Sequence, residues 1–422
     1  MIEVRQYEKK CYSNKVHVNF ATGLPLLEND ITTWFTLCVT VSHTRLGVDT
    51  FNALFYLIIC WLLPPTNIHF INQSFLLHSV SIIFMAVRQS EGFRRYALSI
   101  QYHGGPFLGF SYQGIAENAL QSDGTDLRGI HSVSGRVRQA LDRFLGRQNY
   151  ENIQVSSRTD RGVHALYNTF HMDVKPHCER LGDKHLDPLA LMRGLNEQIR
   201  KLENSNPYTR KHIGRNTPPP LTRVRLLHAK FAPEKMRNAF AAQDPKQPEY
   251  CDWNARFSAT SRTYIYRILL VQDYDFFGLS FDADQAWRVQ GPLNMEDMKL
   301  AACSMVGHHD FSSFRSNGCQ RCSPEVTIQD IQIHSEPYSI AGIQYSGNNS
   351  TTQLVTITIT GNSFLYRQVR NMVGCLVSVG KGKLSCEGAH HMLKQRNRSS
   401  VPVAAPSYGL YLANVQHGDF EL

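Results

Sequence analysis

One stretch constrains the fold more than any other: IQVSSRTDRGVHALYNTFHMDV, residues 153–174. A short apolar run enters a polar turn, SSRTDRG. A strand-like alternation leaves it, with Phe170, Met172 and Val174 apolar and Thr169, His171 and Asp173 polar. Two extended segments joined by a polar turn commit this region to a sheet. The turn presents a single acid, Asp160, between Arg158 and Arg161.

The flanking sequence alternates between the two periodicities. RYALSIQYHG (95–104) and TRVRLLHAKFAP (222–233) read as strands. HSVSGRVRQALDRFLGR (131–147) reads as a helix. Val133, Val137, Leu141, Phe144 and Leu145 share one face, and Arg136, Arg138, Arg143 and Arg147 take the other. DPLALMRGLNEQI (187–199) is a second helix, with Asp187 as N-cap and Pro188 in its first turn. A similar series follows. SRTYIYRILLV (261–271), EVTIQDIQIHS (325–335) and TTQLVTITITG (351–361) read as strands, and NMEDMKLAACSMVG (294–307) as a helix. NSFLYRQVRNMVGCLVSVGKG (362–382) reads as a helix with Leu365, Val369, Met372, Val373 and Leu376 as its buried stripe and Gly380 as its stop. Residues 204–220 read as a basic loop, and 243–254 as a loop or linker. GHHDFSSF (307–314) reads as a turn entering a packed Phe311/Phe314 segment. The order of elements predicts an α+β protein with helices layered on an antiparallel sheet.

The 422 residues suffice for two domains, and 42% apolar with 19% charged residues describes a folded chain rather than a disordered one. The net charge is +9. Residues 1–84 hold five basic side chains (Arg5, Lys9, Lys10, Lys15, Arg45) and five acids (Glu3, Glu8, Glu28, Asp30, Asp49), so the whole excess belongs to the rest. A basic body favours a polyanionic partner, nucleic acid or an anionic membrane; a basic surface with no partner is the other reading. Only Cys319 and Cys322 of the ten cysteines make a CxxC. No second pair follows at zinc-site spacing, so no metal site is expected and the cysteines read as free thiols of a reducing compartment.

Residues 50–87 contain no Asp, Glu, Lys or Arg. The run FNALFYLIICWLL gives about thirteen apolar residues, short of the roughly 20 that span a bilayer. It lies too far along the chain for a signal peptide, and residues 1–49 are not clearly the Arg- and Ser-rich, acid-poor stretch of a mitochondrial leader, which leaves an intracellular location, mitochondrial or cytoplasmic and nuclear, open. Ordinary soluble patterning begins after Met85. Residues 1–84 are therefore expected to be an extension outside the functional fold, with weak membrane contact through 50–87 as the rival reading.

No metal ligands accompany Asp160 at useful spacing, which points to a nucleophile or base. Flanked by Arg158 it is expected to hold a low pKa, and so to attack carbon more readily than to abstract protons. A turn stabilised by an ion pair explains the same residues. Tyr264 in ATSRTYIYR is an aromatic among arginines, suited to stacking on a base, and equally to packing within a strand. Arg367 and Arg370 project from the last long helix, where most arginines are simply solvated.

Together these segments resemble a known family. RTDRGVHAL resembles the RTDAGVHA motif of the TruA family of tRNA pseudouridine synthases. RFSATSRTYIYR resembles its second motif, SFLYRQVRNMVG its third and VAAPSYGLYL (403–412) its closing element, in the family's order over residues 95–415. SSRTDRGVHAL, ATSRTYIYR and SFLYRQVR are most similar to the eukaryotic pseudouridine synthase-like 1 branch. The resemblance implies two ferredoxin-like halves, 95–242 and 255–415, sharing a continuous antiparallel sheet with helices on one side and a basic cleft between them. It implies conversion of uridine to pseudouridine in tRNA, in the anticodon arm, without cofactor or metal. It assigns Asp160 as the catalytic aspartate acting at ribose C1′. Arg158 would pair with it or fill the space of the flipped base. Tyr264 would stack on the uracil and accept the C5 proton, Arg370 would pair with Asp160, and Leu410 would wall the pocket. The bacterial relatives are homodimers; whether this chain dimerises stays open. Three departures stand out: Arg161 in place of alanine, YHGGPFLGFSYQG in place of YDGT-F-GWQ, and the insertion at 243–254. The alternative from a different class is an RNA-binding or RNA-chaperone protein on the same fold with little catalysis.

Overall fold

The computed structural model describes residues 92–111, 131–176, 185–204, 223–234, 236–237, 250–271, 282, 284–340, 343–344, 346–347 and 350–422. The expectations for residues 1–84 and 50–87, and for most of the loops at 204–220 and 243–254, lie outside these. Among the described residues no helix is long and apolar enough to cross a membrane.

Ten strands make one sheet: β1 (Arg94–Tyr102), β2 (Tyr150–Val155), β3 (His164–Val174), β4 (Val224–Phe231), β5 (Ser261–Val271), β6 (Trp287–Gln290), β7 (Gly307–Asp310), β8 (Glu325–Pro337), β9 (Gln353–Gly361) and β10 (Leu410–Gln416). The order is β4-β1-β3-β10-β5-β9-β8-β7, with β2 on β3 and β6 on β5. The α+β reading holds. The pairing is antiparallel except at two ladders, β10 on β3 and β6 on β5, which are parallel. The first of these is the seam at the centre. β10 pairs with β3 through Tyr411↔His164 and Leu412↔Ala165, and with β5 through Leu410↔Tyr266 and Leu412↔Tyr264. A strand from the end of the chain thus joins early strands to late ones.

Side-chain alternation decides what covers each face. Tyr96, Leu98 and Ile100 of β1, Tyr264, Tyr266 and Ile268 of β5, and Val355, Ile357 and Ile359 of β9 all enter one core. Residues of α1 (Val133–Phe144), α2 (Pro188–Asn204), α3 (Met295–Cys303), α4 (Gln368–Gly380) and α5 (Cys386–Gln395) pack into the same core, so the helices cover one face. α1 starts where its spacing predicts. Ser132 accepts from the Gly135 N–H, and Val133, Val137 and Leu141 are buried. At α2 Asp187 accepts from the Ala190 N–H at 3.0 Å, the expected cap.

Two elements depart from the sequence reading, the last long helix and residues 307–310. The helix expected over 362–382 spans only Gln368–Gly380. Arg367 is left-handed (φ 59°), and the Gln368 side chain accepts from the Leu365 N–H at 2.8 Å, so side chains replace the first helical bonds. Gly380 is the last helical residue rather than the stop; the left-handed turn comes at Gly382 (φ 67°). Residues 307–310 form β7 on β8 rather than a turn, with Phe311 and Phe314 buried behind it. The polar alternation of β3 is not a wet face. Thr169, His171 and Asp173 are buried beneath a second cluster of Ala97, Trp253 and Ala255, with Phe420 and Leu422 packed on it. The end of the expected linker therefore closes the sheet instead of hanging free.

α4 lies against the segment before β10. A Cβ on Gly374 would sit 2.3 Å from the Val403 carbonyl oxygen, a backbone atom that cannot turn aside. Gly374→Ala is expected to cost about 1–3 kcal/mol by overpacking and to displace residues 403–405. Equilibrium denaturation checks it, and an unchanged midpoint would show that this approach is not close.

Candidate active site

Asp160 sits in the turn between β2 and β3, and that turn is held on all sides. Phe110 donates to Thr159 O at 3.1 Å, the Tyr102 hydroxyl meets Thr159 Oγ1 at 2.8 Å, and the Val163 N–H closes the turn onto Asp160 O at 3.1 Å. Gly162 supplies the left-handed step (φ 78°) that reverses the chain into β3. From the later strands, Tyr264 OH and Ser157 Oγ lie 2.8 Å apart. Arg262, almost fully buried, donates to the carbonyls of Ser156 (3.2 Å), Arg256 (3.0 Å), Ala259 (2.8 Å) and Asn362 (2.6 Å). Burial holds that guanidinium down to about 10.

His164, inside the first motif, ties the turn to the seam. The Gly104 N–H donates to its Nδ1 at 3.1 Å. Its proton therefore sits on Nε2, which donates toward Tyr408 O (3.0 Å) and Asp284 O (3.1 Å). The ring stacks on Tyr411 at 4.6 Å. Burial and the neighbouring His103 push its pKa down to about 4, so it is neutral throughout the physiological range.

The cations on Asp160 come from α4 and its cap, not from the turn. Arg370 Nη1 is 3.4 Å and Arg367 Nε 4.0 Å from Asp160 Oδ2. Arg370 is itself aimed by Nε, which donates to Ala405 O at 2.7 Å. Arg158, expected to pair with the acid, reaches the other way and donates to Gln320 Oε1 at 2.9 Å; Arg161 is exposed. The expectation of a low pKa is also overturned. Burial raises the Asp160 carboxyl above its ordinary value, and Arg370 and Arg367 offset only part of that. With its side chain 21% exposed the carboxylate is still reachable.

Tyr264 is buried, its ring edge-on to Phe364 at 5.1 Å, and its phenol is pushed up to about 12 by burial, with the charge of Asp160 adding to the rise. It is a neutral phenol close to the acid. Leu410 opens β10, 5% exposed, in register with Tyr266. The structure thus brings Asp160, Arg370 and Tyr264 together around one turn, places Leu410 in the seam beside them and leaves Arg158 on the rim. Sequence reasoning missed Arg262 and His164 as supports, although both stand inside quoted motifs, RFSATSRTYIYR and RTDRGVHAL. Among the described residues no group of three His, Cys, Asp or Glu side chains is placed to hold a metal ion.

Comparison with known proteins agrees with these motifs. A sequence model described as tRNA pseudouridine synthase matches residues 301–417. The chain is 32% identical over 323 residues to tRNA pseudouridine synthase A of Nitrobacter hamburgensis, covering 76% of this chain and 99% of that protein. It is 30% identical over 325 residues to the enzyme of the same name from a Ruegeria species (77% and 96%) and over 323 residues to that of Ehrlichia chaffeensis (76% and 100%). The fold and these relatives define a class, the RNA pseudouridine synthases, which are isomerases. Within it the chain belongs to the TruA family of tRNA pseudouridine synthases.

Two outcomes follow for the charges. A carboxyl whose pKa is raised by folding holds its proton more tightly folded than unfolded. Its contribution is present below the unfolded pKa near 3.8 and is lost as pH rises through the folded value. Ionised Asp160 is thus a cost at neutral pH, and Asp160→Asn is expected to melt higher than wild type at pH 7; a lower melting temperature would contradict the burial argument. His164 has the opposite sense. Its pKa falls from 6.5 to about 4 on folding, so its contribution is full above 6.5 and is lost as pH falls toward 4. His164→Asn, which keeps an acceptor for Gly104, is expected to flatten the acid loss of unfolding free energy between pH 6.5 and 4.5; an unchanged slope would exclude His164 as its source.

Proposed function

We propose that this chain isomerises uridine to pseudouridine in the anticodon arm of tRNA, with Asp160 as the catalytic carboxylate. The contact between Asp160 and Arg370 carries the reading, because it brings the first and third family motifs into one site. The buried turn cannot reach a stacked base, so the uridine must first swing out, at about a few kcal/mol, least in a loop. The carboxylate then donates an electron pair to ribose C1′ as the N1–C1′ bond breaks and its pair leaves on N1. The uracil turns, C5 bonds to C1′, the carboxylate is released, C5 gives up its proton and N1 gains one. Product and substrate are isomers, so the balance needs no co-reactant.

Arg370 holds Asp160 ionised against its burial, and the hydrogen bonds around the turn fix it where small displacements are costly. Tyr264, neutral at physiological pH, offers its ring to the uracil and its hydroxyl oxygen to the C5 proton. Leu410 walls the base pocket, and Arg158 on the rim takes the space the base leaves. The motifs SSRTDRGVHAL, ATSRTYIYR and SFLYRQVR support placement in the eukaryotic pseudouridine synthase-like 1 branch. The working body comprises 95–242 and 255–415, with residues 1–84 as an extension. A homodimer, as in the bacterial relatives, is open to light scattering.

Asp160→Asn is expected to abolish pseudouridine in a tRNA transcript while leaving RNA affinity within a few-fold. Equal product from both proteins would remove Asp160 from the chemistry, and RNA binding without product from wild type would favour a chaperone. A chain beginning at Met85 is expected to retain full activity in the same assay; a large loss would give residues 1–84 a role.

A further inference from the structure

A second basic site adjoins the turn that carries Arg367 and Arg370. A pocket of about 320 Å³ is lined by Arg315, Arg396 and Arg398 with Ser312, Ser316 and Asn317, and no carboxylate is among its described lining residues. One acid touches these arginines from outside: Asp310 Oδ2, 3.0 Å from Arg396 Nε. Three guanidiniums against one carboxylate leave about two positive charges unmatched.

Arg315 and Arg398 are held by neutral acceptors. Arg315 Nη2 donates to Cys319 O at 3.0 Å and to Arg321 O. Arg398 donates to Val401 O (2.9 Å) and Asn371 Oδ1 (3.0 Å). Arg396 meets Asp310 through Nε, and its side chain is 69% exposed. Planar guanidinium forks, flanked by hydroxyls and an amide, match phosphate oxygens.

Two links join this pocket to Asp160. The Ser316 N–H donates to Tyr366 O at 3.1 Å, one residue before Arg367. Asn371, next to Arg370, donates to Phe314 O (2.7 Å) and Ser316 Oγ (3.3 Å) and accepts from Arg398. Pocket and carboxylate thus both contact the short stretch 366–371.

We propose that this pocket binds a backbone phosphodiester of the RNA strand next to the flipped nucleotide, fixing its register through the turn that holds Arg370. The proposal rests on the tRNA reading above and adds a subsite to it.

The test is tRNA binding across a salt series for wild type, Arg396→Gln, Arg315→Gln and, as a control on α2, Arg200→Gln. Arg396 is exposed, so its variant is expected to fold normally, which its melting temperature checks. Losing one phosphate contact lowers the slope of log affinity against log salt by about 0.7–0.9. Arg396→Gln is expected to show that drop and a several-fold weaker affinity at moderate salt. Arg200→Gln is expected to match wild type. An unchanged slope in both pocket variants would overturn the proposal, as would inorganic phosphate raising the melting temperature of wild type but not Arg396→Gln while tRNA binding stays the same. Product formation in the same samples separates the readings: product with an unchanged slope removes the pocket alone, and a reduced slope without product removes the catalytic reading alone.

Discussion

The pairing of Asp160 with Arg370 is the contact on which the rest of the structure depends. The two residues are 210 positions apart. They meet because β10, from the end of the chain, inserts between β3 and β5 and places the turn after β2 beside the first turn of α4. Arg370 is aimed from both its side chain and its backbone. Its Nε donates to Ala405 O at 2.7 Å, and its carbonyl accepts from the Ala405 N–H at 3.0 Å. Residues 403–405 lead through the 3-10 turn Ser407–Gly409 into β10, so the segment that enters the seam also positions the cation.

Electrostatics explains why so much structure surrounds one carboxylate. Burial pushes the Asp160 pKa up, and Arg370 and Arg367 push it down. Together they leave its pKa raised above the ordinary carboxylate value while two guanidiniums stay paired with it. The supports are chosen to add no second negative charge. Tyr102, Tyr264, His164 and Arg262 reach the turn as neutral donors or as a cation satisfied by backbone carbonyls. Reorganisation during reaction is small when the surrounding dipoles are already fixed.

Much of the scaffold was legible because local periodicity and burial coincide. β5 spans Ser261–Val271, as its alternation predicts, and the α1 stripe is buried as spaced. What was not legible depends on distant partners. What covers the polar face of β3 is not readable from the strand itself, because Trp253 and the residues around 417–422 lie far along the chain. The start of α4 fails because Leu365 sits at helical spacing from Val369 while Arg367 is left-handed between them. At the site, the family resemblance pairs Asp160 with Arg370, and that contact is present; the flanking cation read from the turn itself, Arg158, is the one that does not reach the acid. Arg158 and Arg161 are its neighbours in sequence, and a tight turn splays neighbours apart. Arg158 finds Gln320 instead, and its place beside the acid falls to residues of α4 and its cap.

The central claim is that Arg370 keeps a buried carboxylate charged so that it can react. The direct measurement is the pH dependence of single-turnover pseudouridine formation in wild type and Arg370→Lys, which keeps a cation but loses the bond to Ala405. The account requires the acid limb of wild type to lie above the ordinary aspartate value of 3.8 and to move to higher pH in the variant. A limb at the same pH in both proteins would contradict it, since the charge of Asp160 would then owe nothing to Arg370.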